Sequence, residues 1–127
     1  MAGFMARLKS MGAGDKNVPT IALVGPSETT ITLPDDSNVF NVTCLTSAGA
    51  NSTCSISYVY GGTVMEGRLV TFIVQSQSQT VTFLDSGVTT TNGLMNLNFV
   101  NRDVIGGNSI TIRQNGDGSW IINSTSF

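Results

Sequence analysis

The amino-acid sequence predicts an all-β protein, and three observations support that prediction. From residue 20 onward, short segments rich in β-branched and aromatic residues recur at regular spacing. Clusters of Gly, Pro, Asn and Asp, the residues that favour turns, separate these segments. The same part of the sequence shows no 3.6-residue apolar period of an amphipathic helix. About nine strands of this kind favour an antiparallel β-sandwich or barrel.

The predicted strands follow one another closely along the chain. They are TIALV (20–24), TTITL (29–33), VFNVTCLT (39–46), CSISYVY (54–60), LVTFIVQ (69–75), QTVTFL (79–84), LMNLNFV (94–100), SITIR (109–113) and SWIIN (119–123). Turn signals at 25–26, 34–36, 48–51, 61–62, 85–87, 92–93, 106–107 and 115–118 separate them. We therefore expect residues 19–127 to form a single β-sandwich domain.

The segment at 69–75 predicts a strand with two apolar faces. Val70, Phe72 and Val74 share one face, while Leu69 and Ile73 lie on the other. Such a strand either lies between two layers or contacts a second subunit.

In the segment at 94–100 the apolar residues do not follow one regular two-residue alternation. Leu94, Leu97 and Phe99 cannot all point to one side of a regular strand. We therefore expect a β-bulge near Asn96.

The last two strands predict a hairpin that ends in the only tryptophan. Ile110 and Ile112 share one face, the QNGDG turn reverses the chain, and Trp120 returns with Ile122 on one face. We expect Trp120 to close the core. The alternative is an indole that stacks on a sugar or a base, a kind of site that usually contains several aromatic residues.

Residues 1–18 differ from the rest and predict an extended or partly helical N-terminal docking arm. Phe4, Leu8 and Met11 recur at helical spacing, and glycines at 12 and 14 end the pattern. The arm also carries a net charge of +2, against −4 for the remaining residues. The residues expected to dock are Phe4, Met5, Arg7, Leu8, Lys9 and Met11. A frayed terminus is the alternative.

The composition limits the possible partners. A chain of 127 residues can bury one core, and only 11% of its residues are charged. A net charge of −2 gives no general attraction to nucleic acid or to an anionic membrane, so we expect neither as a partner. Ser, Thr and Asn supply 41 residues, so the surface is neutral and polar, which favours a component of an assembly.

The two cysteines, Cys44 and Cys54, flank a predicted hairpin centred on Gly49. That hairpin would place them opposite each other, so a disulfide is geometrically possible. A reduced, half-buried pair is nevertheless the commoner state in a cytosolic product, and we expect it here. Two thiols without a histidine cannot complete a zinc site.

The sequence predicts no catalytic residue, no metal site and no cofactor. It contains no histidine, so a Ser or Cys nucleophile lacks its usual base. Asp35 and Asp36 stand in a Pro-led turn, as solvated turn residues do. Glu66 and Asp85 could converge in principle. Asp103, Asn115 and Asp117 could hold calcium, but their spacing fits no known calcium loop.

Residues 67–122 resemble a recurring β-domain of tailed-bacteriophage virions. The stretches that carry the resemblance are GRLVTFIV, QTVTFLDSG and GLMNLNFVNRDVIGGNSITIRQNGDGSWIIN. In that group the segment forms a compact β-domain, often a homotrimer, on capsid decoration proteins, head fibres or tail-fibre tips. A polar or acidic residue commonly follows the tryptophan there, whereas Ile121 follows it here.

The resemblance implies a virion structural protein, made in the host cytoplasm. The first expectation is a capsid decoration (cement) protein that binds the major capsid protein on the outer surface of the head and stabilises it. The alternative is a receptor-binding fibre tip or head domain, with loops 47–53 and 85–93 touching a cell-surface glycan or protein. The candidates for core or oligomer contacts are Phe72, Ile73, Phe83, Phe99, Ile112, Trp120 and Ile122.

Overall fold

A computed structural model of the chain describes residues 18–24, 28–45, 53–75, 80–87 and 90–126. Within these ranges the all-β prediction is confirmed, because ten strands and no helix occur. The strands are β1 (Thr20–Val24), β2 (Glu28–Leu33), β3 (Val39–Leu45), β4 (Thr53–Gly61), β5 (Leu69–Val74), β6 (Thr80–Phe83), β7 (Met95–Asn96), β8 (Arg102–Ile105), β9 (Ser109–Gln114) and β10 (Trp120–Ser126). The predicted arm, residues 1–18, lies outside the described residues except for Val18.

The strands form two sheets, and the chain changes sheet after almost every strand. Sheet A has six strands in the order β1-β3-β5-β9-β10-β7, and sheet B has four in the order β2-β4-β6-β8. The first nine strands therefore alternate between the sheets, and only β9 and β10 follow each other within one sheet. Strands β1 to β6 thus form three coils, each with one strand in each sheet.

The expectation of an antiparallel sheet is wrong for most of the strand pairs. Among the described strands, five of the eight pairs are parallel, and three are antiparallel. The reason is the crossing between sheets: a strand of the other sheet acts as the connection that a parallel pair needs. Parallel and antiparallel pairs have the same alternation of apolar residues and the same turn signals. The sequence pattern therefore did not show which kind of pair the strands form.

The inward faces of both sheets share one hydrophobic core. Val70, Phe72 and Val74 point into it from β5, as the alternation in that strand predicts, and none of them is exposed. Phe72 packs between Phe40, at 6.0 Å between ring centroids, and Phe83, at 5.2 Å. Full burial of each such side chain contributes roughly 1.5–3 kcal/mol. The core therefore holds the two sheets together along their length.

The segment at 94–100 is not the bulged strand that we expected. Only Met95 and Asn96 are in a strand, and a turn with φ of 65° at both Asn98 and Phe99 follows. The chain then forms β8, which the sequence pattern did not predict. The break in phase marked a turn between two edge strands rather than a bulge.

The cysteines form a disulfide, so the expected reduced pair is wrong. Cys44 lies on β3 of sheet A and Cys54 on β4 of sheet B, with 5.8 Å between their Cα atoms. Both side chains are buried. The predicted hairpin is also wrong, because β3 and β4 belong to different sheets. The bridge therefore joins the sheets through the core.

Candidate docking surface

The outer face of sheet A is the described surface that best fits a protein contact. Its side chains alternate along each strand with those of the core, so they point away from sheet B. The set is Thr20, Ala22, Val24, Val39, Asn41, Thr43, Leu69, Thr71, Ile73, Ser109, Thr111, Arg113 and Ile121. We call this set the sheet A face.

The sheet A face has very little charge and several exposed apolar groups. Arg113 is the one charged residue in the set. Leu69 is 47% exposed, Val39 is 39% exposed and Val24 is 67% exposed. Protein contact surfaces are depleted in charged residues at their centres, and the sheet A face shares that property.

Polar groups of the sheet A face bond to each other or to a neighbouring side chain. The hydroxyl groups of Thr71 and Thr111 lie 2.7 Å apart on the adjacent strands β5 and β9. The Nε2 atom of Gln75 donates to Oδ1 of Asn41 at 3.0 Å. Polar groups that already form hydrogen bonds within the protein lose fewer hydrogen bonds to water when a partner covers the surface. The face can therefore be covered by a partner at a low desolvation cost.

The N-terminal segment joins the body at the edge of this face. The carbonyl oxygen of Pro19 accepts a 2.9 Å hydrogen bond from the backbone N–H of Asn41, which starts the pairing of β1 with β3. Asn41 is itself part of the sheet A face. The arm residues Phe4, Met5, Arg7, Leu8, Lys9 and Met11 lie outside the described residues.

A second apolar feature is the turn that carries Phe99, between the edge strands β7 and β8. The Phe99 side chain is 77% exposed although its backbone has a positive φ, which is unfavourable for a bulky residue. The turn is held firmly: Leu97 N–H donates to Oδ1 of Asp85 at 2.6 Å, and Asp85 N–H donates to Oδ1 of Asn101 at 2.8 Å. Strained backbone conformations are often found at functional sites. The exposed Phe99 ring is therefore a second candidate for contact with a partner.

The other predicted core or oligomer residues differ in how far they are buried. Phe72, Phe83, Ile112 and Trp120 are fully buried, so they cannot contact another molecule. Ile122 packs half-buried against the core. Ile73 lies on the sheet A face. Only Ile73 and Phe99 of the seven therefore point toward a possible partner.

Thr53, the one described residue of the predicted recognition loop 47–53, lies far from Gly93 of the predicted loop 85–93. Residues 47–52 are outside the described residues, but Thr53 begins β4. Gly93 lies near the other end of that strand, where its carbonyl oxygen accepts from Val59 N–H at 2.9 Å. Six strand residues separate the two points, which is roughly 20 Å. Thr53 and Gly93 therefore do not belong to one small ligand site.

The carboxylates serve mainly as hydrogen-bond acceptors in turns and at edges. Asp35 accepts from the backbone N–H and the hydroxyl of Thr63, at 2.9 and 2.7 Å, and these bonds lower the pKa of Asp35 below its ordinary value of 3.8. Bonds from Ser119 likewise lower the pKa of Asp117. Asp103 accepts separately from Thr82 at 2.7 Å. Within the described ranges, no three His, Cys, Asp or Glu residues are grouped to hold a metal ion.

Comparisons with known proteins add no identification. No protein-family profile matches the chain, and no curated protein is similar to it. No helix in the described part of the chain is long and apolar enough to cross a membrane.

Proposed function

We propose that the protein is a phage structural protein that decorates the outside of an assembled head, where it acts as a cement without catalysis or a cofactor. The observation that carries the proposal is the position of the sheet A face, which is almost uncharged and lies where the N-terminal arm joins the body. A body that associates with copies of itself and an arm that reaches a larger particle are the two parts that a cement protein needs.

The sheet A face is the proposed contact between copies, in a homotrimer. Its Thr, Ser and Val side chains have few rotamers to lose, so burying them costs less conformational entropy than burying Lys or Glu. Leu69 and Ile73, which lie on either side of Thr71 along β5, add apolar area. The single charge, Arg113, lies opposite Leu69 on β9 and sits where a rim residue would be.

The arm is the proposed contact with the major capsid protein. Phe4, Leu8 and Met11 would supply apolar area, and Arg7 and Lys9 would meet acidic groups. An arm that binds the assembled lattice, and not free subunits, stabilises the lattice by mass action. Three arms on one trimer bind together far more tightly than one arm alone.

Occupancy on purified, empty heads tests the role of the arm. Deletion of residues 1–18 should abolish binding, and a Phe4→Ala/Leu8→Ala/Met11→Ala variant should weaken it strongly. A Ser10→Ala variant, which leaves the apolar stripe intact, is the matched control and should bind normally. Full occupancy by the truncated protein would disprove the cement mechanism.

The mass of the purified protein in solution tests the sheet A face. Ile73→Lys places a charge at the centre of the face and should convert the oligomer to a monomer, measured by light scattering. Thr82→Lys places the same charge on the outer side of sheet B and should leave the mass unchanged. A wild-type monomer at high concentration would contradict the oligomer part of the proposal and leave the arm to be judged separately.

One observation favours the alternative, a fibre-tip module that binds a glycan. Tyr58 and Tyr60 project from the outer side of β4 and stack with 5.8 Å between centroids and 9° between planes. Gly93 of loop 85–93 lies against the Tyr60 ring, because a Cβ there would be 2.7 Å from Cε1. Partly exposed aromatic rings are suited to stacking on sugars. Glycan binding that Tyr58→Ala removes would favour this alternative.

A further inference from the structure

A row of polar side chains crosses the outer side of sheet B. Its members are direct partners in the strand pairing and point away from the core; they are Glu28 on β2, Ser55 on β4, Thr82 on β6 and Asp103 on β8. Neighbouring strands lie about 4.8 Å apart, so the row is roughly 14 Å long. Two carboxylates therefore stand at its ends, with two hydroxyl groups between them. We call this set the polar row.

Larger apolar side chains flank the polar row. Tyr58 is the next outward residue of β4 on one side. Leu84 follows the inward-pointing Phe83, and its N–H donates to the Ile56 carbonyl oxygen at 3.0 Å, which places it beside β4. Ile105, 51% exposed, lies on the other side of the row at the end of β8. The small hydroxyl side chains therefore form the floor of a shallow trough.

The trough offers hydrogen-bond acceptors in fixed positions. The Oδ1 atom of Asp103 accepts from the Thr82 hydroxyl at 2.7 Å, which holds the carboxylate in place. Its Oδ2 atom forms no hydrogen bond within the described residues. Glu28 is exposed at the other end of the row. Ionised carboxylates only accept hydrogen bonds, so they suit a ligand that carries several donors.

One face of the Tyr58 ring is turned toward the trough. Tyr60 lies beyond Tyr58 along β4 and stacks on it with 5.8 Å between ring centroids and 9° between ring planes. Gly93 lies against the Tyr60 ring in turn. The other face of Tyr58 therefore looks over Ser55, whose side chain is small. A ring face in this position can stack on the apolar face of a sugar.

We propose that the trough binds a neutral oligosaccharide, with one sugar ring stacked on Tyr58 and sugar hydroxyls that donate to Glu28 and Asp103. A sugar combines the two properties that the trough requires, because it has several donors and an apolar C–H face. The outward positions of the described strands of sheet B hold no Arg or Lys, and the two carboxylates would repel an acidic glycan. A protein partner fits less well, because the centres of protein contacts are depleted in charge.

A site of this kind rests on the fibre-tip alternative described above and gives it a ligand class and a set of residues. It is also compatible with a decoration protein. If the sheet A face joins the copies, the outer side of sheet B points away from that contact. Each copy would then present one trough to the solvent.

Binding of the full chain to an array of neutral, sialylated and sulfated oligosaccharides tests the site. The protein should bind neutral oligosaccharides and not the sialylated or sulfated forms of the same chains. Titration calorimetry with the best neutral binder should then show that Asp103→Asn and Tyr58→Ala each weaken binding about tenfold. Tyr58→Phe keeps the ring and should bind as the wild type does.

Asp36→Asn removes an exposed carboxylate in the connection between β2 and β3 and is the matched control, which should bind normally. Urea unfolding followed by Trp120 fluorescence shows that each variant is folded. Absence of binding to every neutral oligosaccharide overturns the proposal, and so does a preference for sialylated chains or an Asp103→Asn variant that binds like the wild type. Head occupancy is measured separately, so a failure here leaves the cement mechanism standing, and a failure of the arm leaves the glycan site standing.

Discussion

The indole nitrogen of Trp120 donates a 2.7 Å hydrogen bond to the carbonyl oxygen of Val59. Trp120 begins β10 of sheet A, and Val59 lies on β4 of sheet B, so the bond crosses the core. The Val59 carbonyl oxygen points away from β2 at this position and would otherwise lack a partner. The only tryptophan of the chain therefore fills the core and satisfies a backbone group of the opposite sheet.

Trp120→Phe should destabilise the protein by about 2–4 kcal/mol, because it leaves a cavity and an unpaired buried carbonyl group. Urea unfolding measures the change. Ile121→Val, on the outward side of the same strand, is the control and should change the free energy of unfolding by less than about 0.5 kcal/mol. An equal effect of both substitutions would show that the hydrogen bond across the core contributes nothing.

The disulfide between Cys44 and Cys54 should contribute about 3 kcal/mol, because it closes a short loop in the unfolded chain. Urea unfolding with and without a reducing agent measures this contribution. The Cys44→Ala/Cys54→Ala variant should be less stable than the oxidised protein and should not respond to the reducing agent. Two free thiols in the purified, unreduced protein would contradict the bridge.

Alternation of apolar residues predicted which side of each strand faces the core, but not how the strands pair. In β5 the inward set of Val70, Phe72 and Val74 follows directly from the sequence. The pairing depends on long-range connections: loop 34–38 leads from sheet B to sheet A instead of forming a hairpin. The next change of sheet, from β3 to β4, places Cys44 and Cys54 on different sheets, whereas the predicted hairpin would have placed them in one sheet.

Local sequence also did not predict the exposure of Phe99 or the burial of Arg68 and Gln114. Phe99 follows an apolar pattern, and its outward position results from the positive φ at Asn98 and Phe99. The irregular alternation of apolar residues in 94–100 was the one sequence feature that could have indicated this turn. Arg68 and Gln114 resemble ordinary surface residues in the sequence, and only the meeting of β5 with β9 buries them.

Substitutions at two glycines with nearly equal φ can distinguish the cost of backbone strain from the cost of a steric clash. Gly67 has φ of 89° and open space, since a Cβ would lie 4.0 Å from the nearest side-chain atom. Gly93 has φ of 88°, but a Cβ would lie 2.7 Å from the Tyr60 ring. Gly67→Ala should cost about 1 kcal/mol, and Gly93→Ala at least about 3 kcal/mol.

A double-mutant cycle with Tyr60→Ala tests the steric part. Once the ring is removed, Gly93→Ala should cost only about as much as Gly67→Ala, because the backbone strain alone remains. Urea unfolding of the four proteins of the cycle supplies the comparison. If Gly93→Ala costs the same with and without the ring, the contact with Tyr60 is not the cause.

The stability of the protein should fall as the pH drops below about 4. The hydrogen bonds from Thr63 lower the pKa of Asp35 in the folded state. Such a group stabilises the fold above its unfolded pKa, and the contribution is lost as the pH falls through the folded pKa. Thr63→Val removes the hydroxyl donor and should reduce this acid sensitivity, measured by urea unfolding at about pH 6 and about pH 3. Thr32→Val, on an exposed strand position, should leave it unchanged.

Phe99→Asn should stabilise the folded protein and weaken the binding to heads that we propose. Asn tolerates a positive φ better than Phe, so relief of the strain should raise the free energy of unfolding by about 0.5–1 kcal/mol. The substitution also removes the most exposed apolar ring of the described residues, which we expect to contact a partner. Ile105→Asn changes another exposed apolar residue, 51% exposed on β8, and should leave head binding intact. Unchanged binding by the Phe99 variant would make the strained turn a structural feature without a role in docking.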